Sequence, residues 1–443
     1  MKIQLSDHFG YGRLLRFVLP SVMMMIFTSM YSIVDGVFVS NFVGKTSFAA
    51  VNLIMPIGMA VGTVGFMIGT GGSAIVSKTF GEGKPERANR YFTMLVISAV
   101  VLSTVLSVVG IIFAPSIASA LGAEGQLLHD CVVYGRLLFS AQPAFVVQNV
   151  FQSFFVTAEK PGLSLKVSVM SGLTNIILDA LFIIVFKWGI AGAALATGAG
   201  QLIGALVPVF YFARKNSSIL RFTKTRFESK VLLKACTNGS SEMVANLSAS
   251  LVNIMYNFQL MRFAGENGVA AYGVIMYANF IFMAVFFGYA LGSAPVVSYH
   301  FGAANHDELK NLFKKSIVLM LISGMALTLL AEFLSSPLIK IFAGYDAELF
   351  SITRHGFRIY AAAFILMGFN VWGSAFFTAL NNGVISAIIS FLRTLVFQIA
   401  AVWLLPVLLG MDGIWLSIVA AEILSLTLTL AFIVKNRKRY HYA

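Results

Sequence analysis

Charge is what this sequence has least of. Asp, Glu, Lys and Arg make up 11% of its 443 residues, against about 25% in soluble domains. Hydrophobic residues make up 58%, and the mean hydropathy is +0.86. This excludes a soluble enzyme or binding module and requires a polytopic membrane protein. Acids are scarcer than bases, 18 against 31. The formal charge of +13 does not point to nucleic acid, because the basic residues form no single soluble face. They cluster between apolar runs, where anionic lipid headgroups are the neighbours. Cysteine is almost missing. Cys131 and Cys236 are too far apart for a metal spacing and too few for a disulfide framework. His-Glu-x-x-His, Cys-x-x-Cys and Gly-x-Ser-x-Gly are all lacking. Gly44-Lys45-Thr46 resembles the end of a phosphate loop, but Val39 stands where that loop needs glycine. The chain is therefore read as no enzyme and as having no cofactor, and any transport must draw on an ion gradient or a partner subunit. An export signal fits poorly. Lys2, Asp7, His8 and Arg13 precede an apolar run that is too long and has no Ala-x-Ala site.

What is present is a series of apolar runs of the ~20 residues that a membrane span needs. Twelve are expected, at 14–38, 49–77, 92–114, 132–157, 163–186, 190–213, 235–259, 269–298, 314–334, 357–380, 384–409 and 413–434; they are numbered spans 1 to 12. No strand-like alternation occurs, which argues against a barrel. Counting Lys and Arg outside the spans or within three residues of their ends places 23 on the side of the termini and 6 on the other. By the positive-inside rule both termini are cytoplasmic, in a cytoplasmic-membrane protein.

The basic 6–7 linker, roughly 214–234, divides the chain into two lobes, 1–220 and 221–443. At a constant offset of 221 residues, Gly71, Val76, Ser77, Phe80 and Gly81 lie over identical Gly292, Val297, Ser298, Phe301 and Gly302. Ser153, Phe155, Thr157, Ala158 and Gly162 lie likewise over Ser374, Phe376, Thr378, Ala379 and Gly383. An ungapped register of this kind marks an internal duplication. Six spans per half give both halves the same sense of insertion, so the repeats are parallel and leave a central cleft between them.

Two acids lie inside spans of the first half. Asp35 nears the end of span 1, and Asp179 is deep in span 5, with Asn175 one turn away on the same face. An ionised carboxylate at bilayer depth costs at least ~2.5 kcal/mol unless it is paired, wet or protonated. Ion pairs with Arg136 or Lys187 are the structural alternative. The functional reading is a shared cation site. Two carboxylates in a low-dielectric pocket cannot both ionise cheaply, so such a pair takes up H⁺ or exchanges it for Na⁺. Asn175 offers an amide oxygen and Thr197 in span 6 a hydroxyl, with Gln152 in span 4 a weaker candidate. Under the 221-residue offset Asp35, Asn175, Asp179 and Thr197 fall over Tyr256, Val396, Ala400 and Ile418. The site therefore belongs to one lobe and not to the shared scaffold. In the second half, Glu242 is expected in the first turn of span 7, and Arg393 is expected to pair with Glu422. Asn253, Tyr256, Asn257, Tyr277 and Phe280 are candidates for lining a substrate cleft. Pro20 should bend span 1.

The twelve spans, the basic linker and Gly-x-x-x-x-Val-Ser-x-x-Phe-Gly at the ends of spans 2 and 8 together resemble the multidrug and toxic compound extrusion (MATE) transporters. The likeness is to bacterial members with an N-lobe acid site. Their motif matches Asp35, Asn175-x-x-x-Asp179 and Thr197, eighteen residues on. The resemblance implies a MATE-like all-α fold of twelve helices in two parallel six-helix repeats. It also implies a monomer that exports amphipathic, often cationic small molecules in exchange for H⁺ or Na⁺, with Na⁺ held at the same four residues. Another branch couples through a Glu within span 7 and an Asp in span 10. Here no acid occurs from Phe357 to Leu380. Two other functions remain, a flippase for a lipid-linked saccharide and a non-transporting scaffold or receptor.

Overall fold

A computed structural model describes residues 3–343 and 346–442; Lys2 and the side chain of Lys45 lie outside the described residues. Among these residues nine helices are long and apolar enough to cross a membrane, and a pair bent by 49° makes a tenth. Two further spans escape a count by hydropathy for physical reasons. Ser229–Gly302 runs on for 74 residues but is broken at Gly265, whose φ of 58° and ψ of −147° are not helical. It is two antiparallel spans joined by the residue that tolerates that backbone. Gly125–Thr157 is less apolar because it carries Gln142, Gln148, Asn149 and Gln152, all of them buried. Spans 2, 3 and 6 pack around it, so it faces protein rather than lipid.

The twelve spans are thus Tyr11–Phe42, Lys45–Gly81, Pro85–Ala120, Gly125–Thr157, Pro161–Asp179 with a π turn at Ala180–Val185, and Gly189–Ala213. The second lobe supplies 229–264, 266–302, His306–Ala343, the bent pair Ala347–Ala361 and Phe364–Ala379, the run from Gly383 to Leu409, and Met411–Tyr440. The run from Gly383 contains a second π turn, Leu392–Phe397. Most helices extend beyond the hydropathic runs because they continue past the lipid. Pro20 lies inside a helix unbroken from Tyr11 to Phe42.

The 6–7 linker is pinned to span 3. Asn89 Oδ1 accepts from the Arg221 N–H at 2.7 Å, Thr93 Oγ1 accepts from the Thr223 N–H at 3.0 Å, and Phe222 stacks on Phe92. A second strap is the N-terminal segment. Its Leu5 N–H donates to Glu159 at 2.9 Å, its Phe9 N–H donates to Glu308 at 2.9 Å, and His8 meets Glu308 at 2.5 Å. It therefore ties the end of span 4 to the start of span 9. Phe9 N–H, Asn311 and His8 hold the Glu308 carboxyl below the usual carboxylate range, although burial, the largest influence on it, acts the other way.

The lobes meet at the end that carries the termini. Leu14, Phe17 and Val18 of span 1 pack into the core of the second lobe, while Ala235 and Met243 of span 7 pack into that of the first. Gly81 ends span 2 against the backbone of Tyr299, and its repeat partner Gly302 ends span 8 against the backbone of Lys78. A side chain at either position would strike main chain. Farther from the termini the lobes are joined by a longer hydrogen bond, Ser29 Oγ donating to the Phe280 carbonyl at 3.4 Å.

Candidate functional site

Spans 1, 5 and 6 bring the proposed oxygens together. Gly200 lets span 6 lie against the backbone of Ser171 and the Cβ of Asn175. Asn175 Nδ2 then donates to Thr197 Oγ1 at 3.5 Å, and Thr197 donates onward to the Ala193 carbonyl at 3.0 Å. Asp179 is the last α-helical residue before the π turn, the kind of helix distortion that recurs at functional sites. Asp35 faces Asp179 and Asn175 across the seam. Thr28 and Ser32 spend their hydroxyls on the span 1 backbone, on Met24 and Thr28 carbonyls respectively.

Four oxygens at this seam are buried with no hydrogen-bond partner: Asp35 Oδ1, Asn175 Oδ1 and both carboxylate oxygens of Asp179. Asp179 is fully buried and Asn175 is 3% exposed. Among the described residues neither aspartate forms an ion pair. Arg136 and Lys187, the candidate partners, are both exposed. Oxygens clustered and left without donors are arranged to receive a proton or a small hard cation. Two phenols join the site that sequence reasoning missed. Tyr134 of span 4 lies within electrostatic reach of both aspartates, and Tyr31 of span 1 within reach of Asp35. A buried tyrosine in an apolar helix carries no signal that separates it from ordinary core.

Other residues fall elsewhere. Gln152 does not reach the acids. Its carbonyl accepts from Ser164 at the start of span 5, eleven residues before Asn175, or about 16 Å along the helix. Tyr256 is not on an open wall. It is 2% exposed and stacks on Tyr272 inside the second lobe, with ring centroids 5.0 Å apart. Asn253 accepts from the Tyr272 hydroxyl at 2.9 Å, and Asn253, Asn257, Tyr277 and Phe280 are exposed. Glu242 is not a first-turn residue, because the helix begins at Ser229. Thirteen residues in, it stands about 20 Å along the axis, half-buried and within reach of the Arg393 charge. Arg393 does pair with Glu422, at 2.9 Å. Asn370, unforeseen, donates to Glu422 Oε2 at 2.6 Å.

The MatE family model matches twice, over residues 20–181 and 242–404, one copy per repeat. The chain belongs to the MatE family. Its curated relatives include the multidrug export protein MepA of Staphylococcus saprophyticus subsp. saprophyticus. That protein is 22% identical over 414 residues, 92% of this chain and 90% of its own length. MepA of Staphylococcus haemolyticus is 22% identical over 434 residues, 97% of this chain and 94% of its own. Among solved structures, an outward-facing multidrug resistance MATE family transporter of the MOP superfamily superposes with a TM-score of 0.93. It is 21% identical and covers 100% of this chain and 99% of its own. A MATE structure in complex with MaL6 gives a TM-score of 0.93 at 21% identity, covering 98% of each chain. At such identities the structural matches establish the MATE fold with its two repeats.

Proposed function

We propose that this MatE-family protein is a secondary active antiporter. It exports amphipathic, often cationic small molecules across the cytoplasmic membrane in exchange for a monovalent cation bound at Asp35, Asn175, Asp179 and Thr197. The carrying observation is the set of four buried acceptor oxygens without donors and without a counter-charge. A static fold would pair such groups, because an unpaired buried carboxylate is strongly destabilising. A transporter leaves the partner to come and go. Spans 1, 5 and 6 bear the site, and span 1 is also wedged into the opposite lobe. Filling or emptying the site therefore acts on a helix that both lobes share. The basic asymmetry supports cytoplasmic termini, so the lobes meet on the cytoplasmic side and the cleft faces outward. The chain works as a monomer among lipids.

The test is dye flux in proteoliposomes. An inward H⁺ or Na⁺ gradient should drive ethidium movement, and Asp35→Asn and Asp179→Asn should each abolish it while the protein stays folded. Wild-type flux in both variants would sink the site. Transport of a labelled lipid-linked sugar with no dye movement would favour the flippase reading, and no gradient-dependent flux would favour the scaffold.

A further inference from the structure

The buried polar face of span 5 does not stop at Asn175. Ser171, Ser168 and Ser164 continue it towards the end that carries the termini, and all three are at most 3% exposed. Ser171 donates to the Gly200 carbonyl at 2.7 Å and accepts from Gln148 Nε2 at 3.2 Å. That leaves Gln148 Oε1 buried with no partner, in a residue 7% exposed. The oxygen lies against Gly204, where a Cβ would collide with it.

Gln148 and Gly204 line a small cavity together with Gln152, Ser164, Ser168, Phe151, Phe155, Val167 and Pro208; its volume is about 10 Å³. That is room for the centre of one water molecule. The walls are built for one. Pro208 stands four residues after Gly204 inside span 6 and has no N–H, so the Gly204 carbonyl loses its helical donor. A water here finds two acceptors, Gln148 Oε1 and that carbonyl. The Ser168 and Ser164 hydroxyls and the Gln152 amide are further partners, which meets the usual need for two to four.

We infer that this cavity is a water site and that the Ser164–Ser168–Ser171 face with Gln148 is the N-lobe's relay for a proton between Asp179 and the cytoplasm. The inference rests on the acid-site reading and narrows it, because the coupling ion becomes H⁺. Asp179 gives its proton to water as the adjoining lobe contacts open and ends as the carboxylate. O–H bonds shift along waters and serine hydroxyls, and one proton leaves to the cytoplasm. A one-water passage passes a proton this way. It has no room for hydrated Na⁺, and among the described residues no acid lines it. Phe151, Phe155 and Val167 keep the cavity isolated while the lobes are closed at this end, which prevents a leak. Gln152 thus finds its place as a wall of the relay and not as a ligand of the coupling ion.

The test measures ethidium export by proteoliposomes under a pH gradient alone and under a Na⁺ gradient alone. The pH gradient should suffice and the Na⁺ gradient should not. Gln148→Leu should slow export roughly a hundredfold, the low end for a positioned proton-transfer group. It should leave ethidium affinity, measured in detergent across pH, at the wild-type value, and Gln148→Asn should recover part of the rate. Should Gln148→Leu fail to fold, a crystallographic map that resolves waters decides, with a water within hydrogen-bond reach of Gln148 Oε1 expected. Equal drive by Na⁺, wild-type export by a folded Gln148→Leu, or a dry cavity in such a map would each overturn the relay. Loss of coupling in Asp179→Asn with normal export in Gln148→Leu would overturn the relay alone. Normal coupling in Asp179→Asn would overturn the acid site beneath it.

Discussion

The two lobes carry buried acids in opposite states. In the first, Asp179 has neither oxygen satisfied and Asp35 faces it. In the second, Glu422 is equally buried but is held by Arg393 at 2.9 Å and by Asn370 at 2.6 Å. Each lobe interrupts its charge-bearing helix with a π turn, after Asp179 in one and around Arg393 in the other. One scaffold thus serves two ends. The compensated acid is held within its lobe, and in the function proposed above the uncompensated one is left for a mobile partner. Retention of a buried pair for specificity of packing is a known use of such groups, although it adds little net stability.

Breaking the first side of this contrast should have the largest effect. Asp179→Asn should lower gradient-driven dye flux by at least about a hundredfold, the scale of a lost proton-transfer group, with little loss of melting temperature. Breaking the second side should do the reverse. Glu422→Gln leaves Arg393 buried without its charge partner, which costs about 3–5 kcal/mol and should show as a marked drop in melting temperature in detergent. The double variant Arg393→Met with Glu422→Leu should recover most of that loss and still transport. Failure of the double variant to transport would make the pair part of the machinery and end the contrast.

Smaller effects should separate the lobes from their contact. Gly302→Leu forces a side chain against the Lys78 backbone, an overpacking worth about 1–3 kcal/mol. Spin-label distances between spans 2 and 8 at the terminal side should lengthen, and the matching change at Gly81 should do the same because the repeat makes the contact twice. Glu308→Gln should have the slightest effect, about 1 kcal/mol, the scale of one hydrogen-bonded carboxylate at a strap. Its folded carboxyl sits below the usual value, so the stabilisation is present above the unfolded pKa of about 4.3 and is lost as pH falls through the folded one. The melting difference between wild type and variant should therefore be full near neutral pH and vanish on acidification.

The membrane class, the duplication and the coming together of Asp35, Asn175, Asp179 and Thr197 were legible in sequence. Hydropathy reports lipid, and a constant offset reports shared ancestry of the halves. An acid in an apolar run also announces itself by its cost. What stayed hidden lay where those signals say nothing. The depth of Glu242 depended on a helix that starts at Ser229, among basic residues outside the bilayer. Tyr134 and Tyr31 joined the site through the packing of spans 4 and 1. Gln152 shares a helix with residues near the site but stands well below it, since a sequence places polar groups along a helix without saying which neighbour they meet.

The crossing of Leu14 into one lobe and Ala235 into the other bears on how the protein is made. When the first six spans have left the ribosome, the inner face of span 1 has no partner, because its partner has not been synthesised. The early half must wait in the bilayer with that face covered by lipid or by an insertion factor. It reaches its final packing only when spans 7 and 8 arrive. Two halves expressed as separate polypeptides would therefore rescue each other, and either one alone would be degraded.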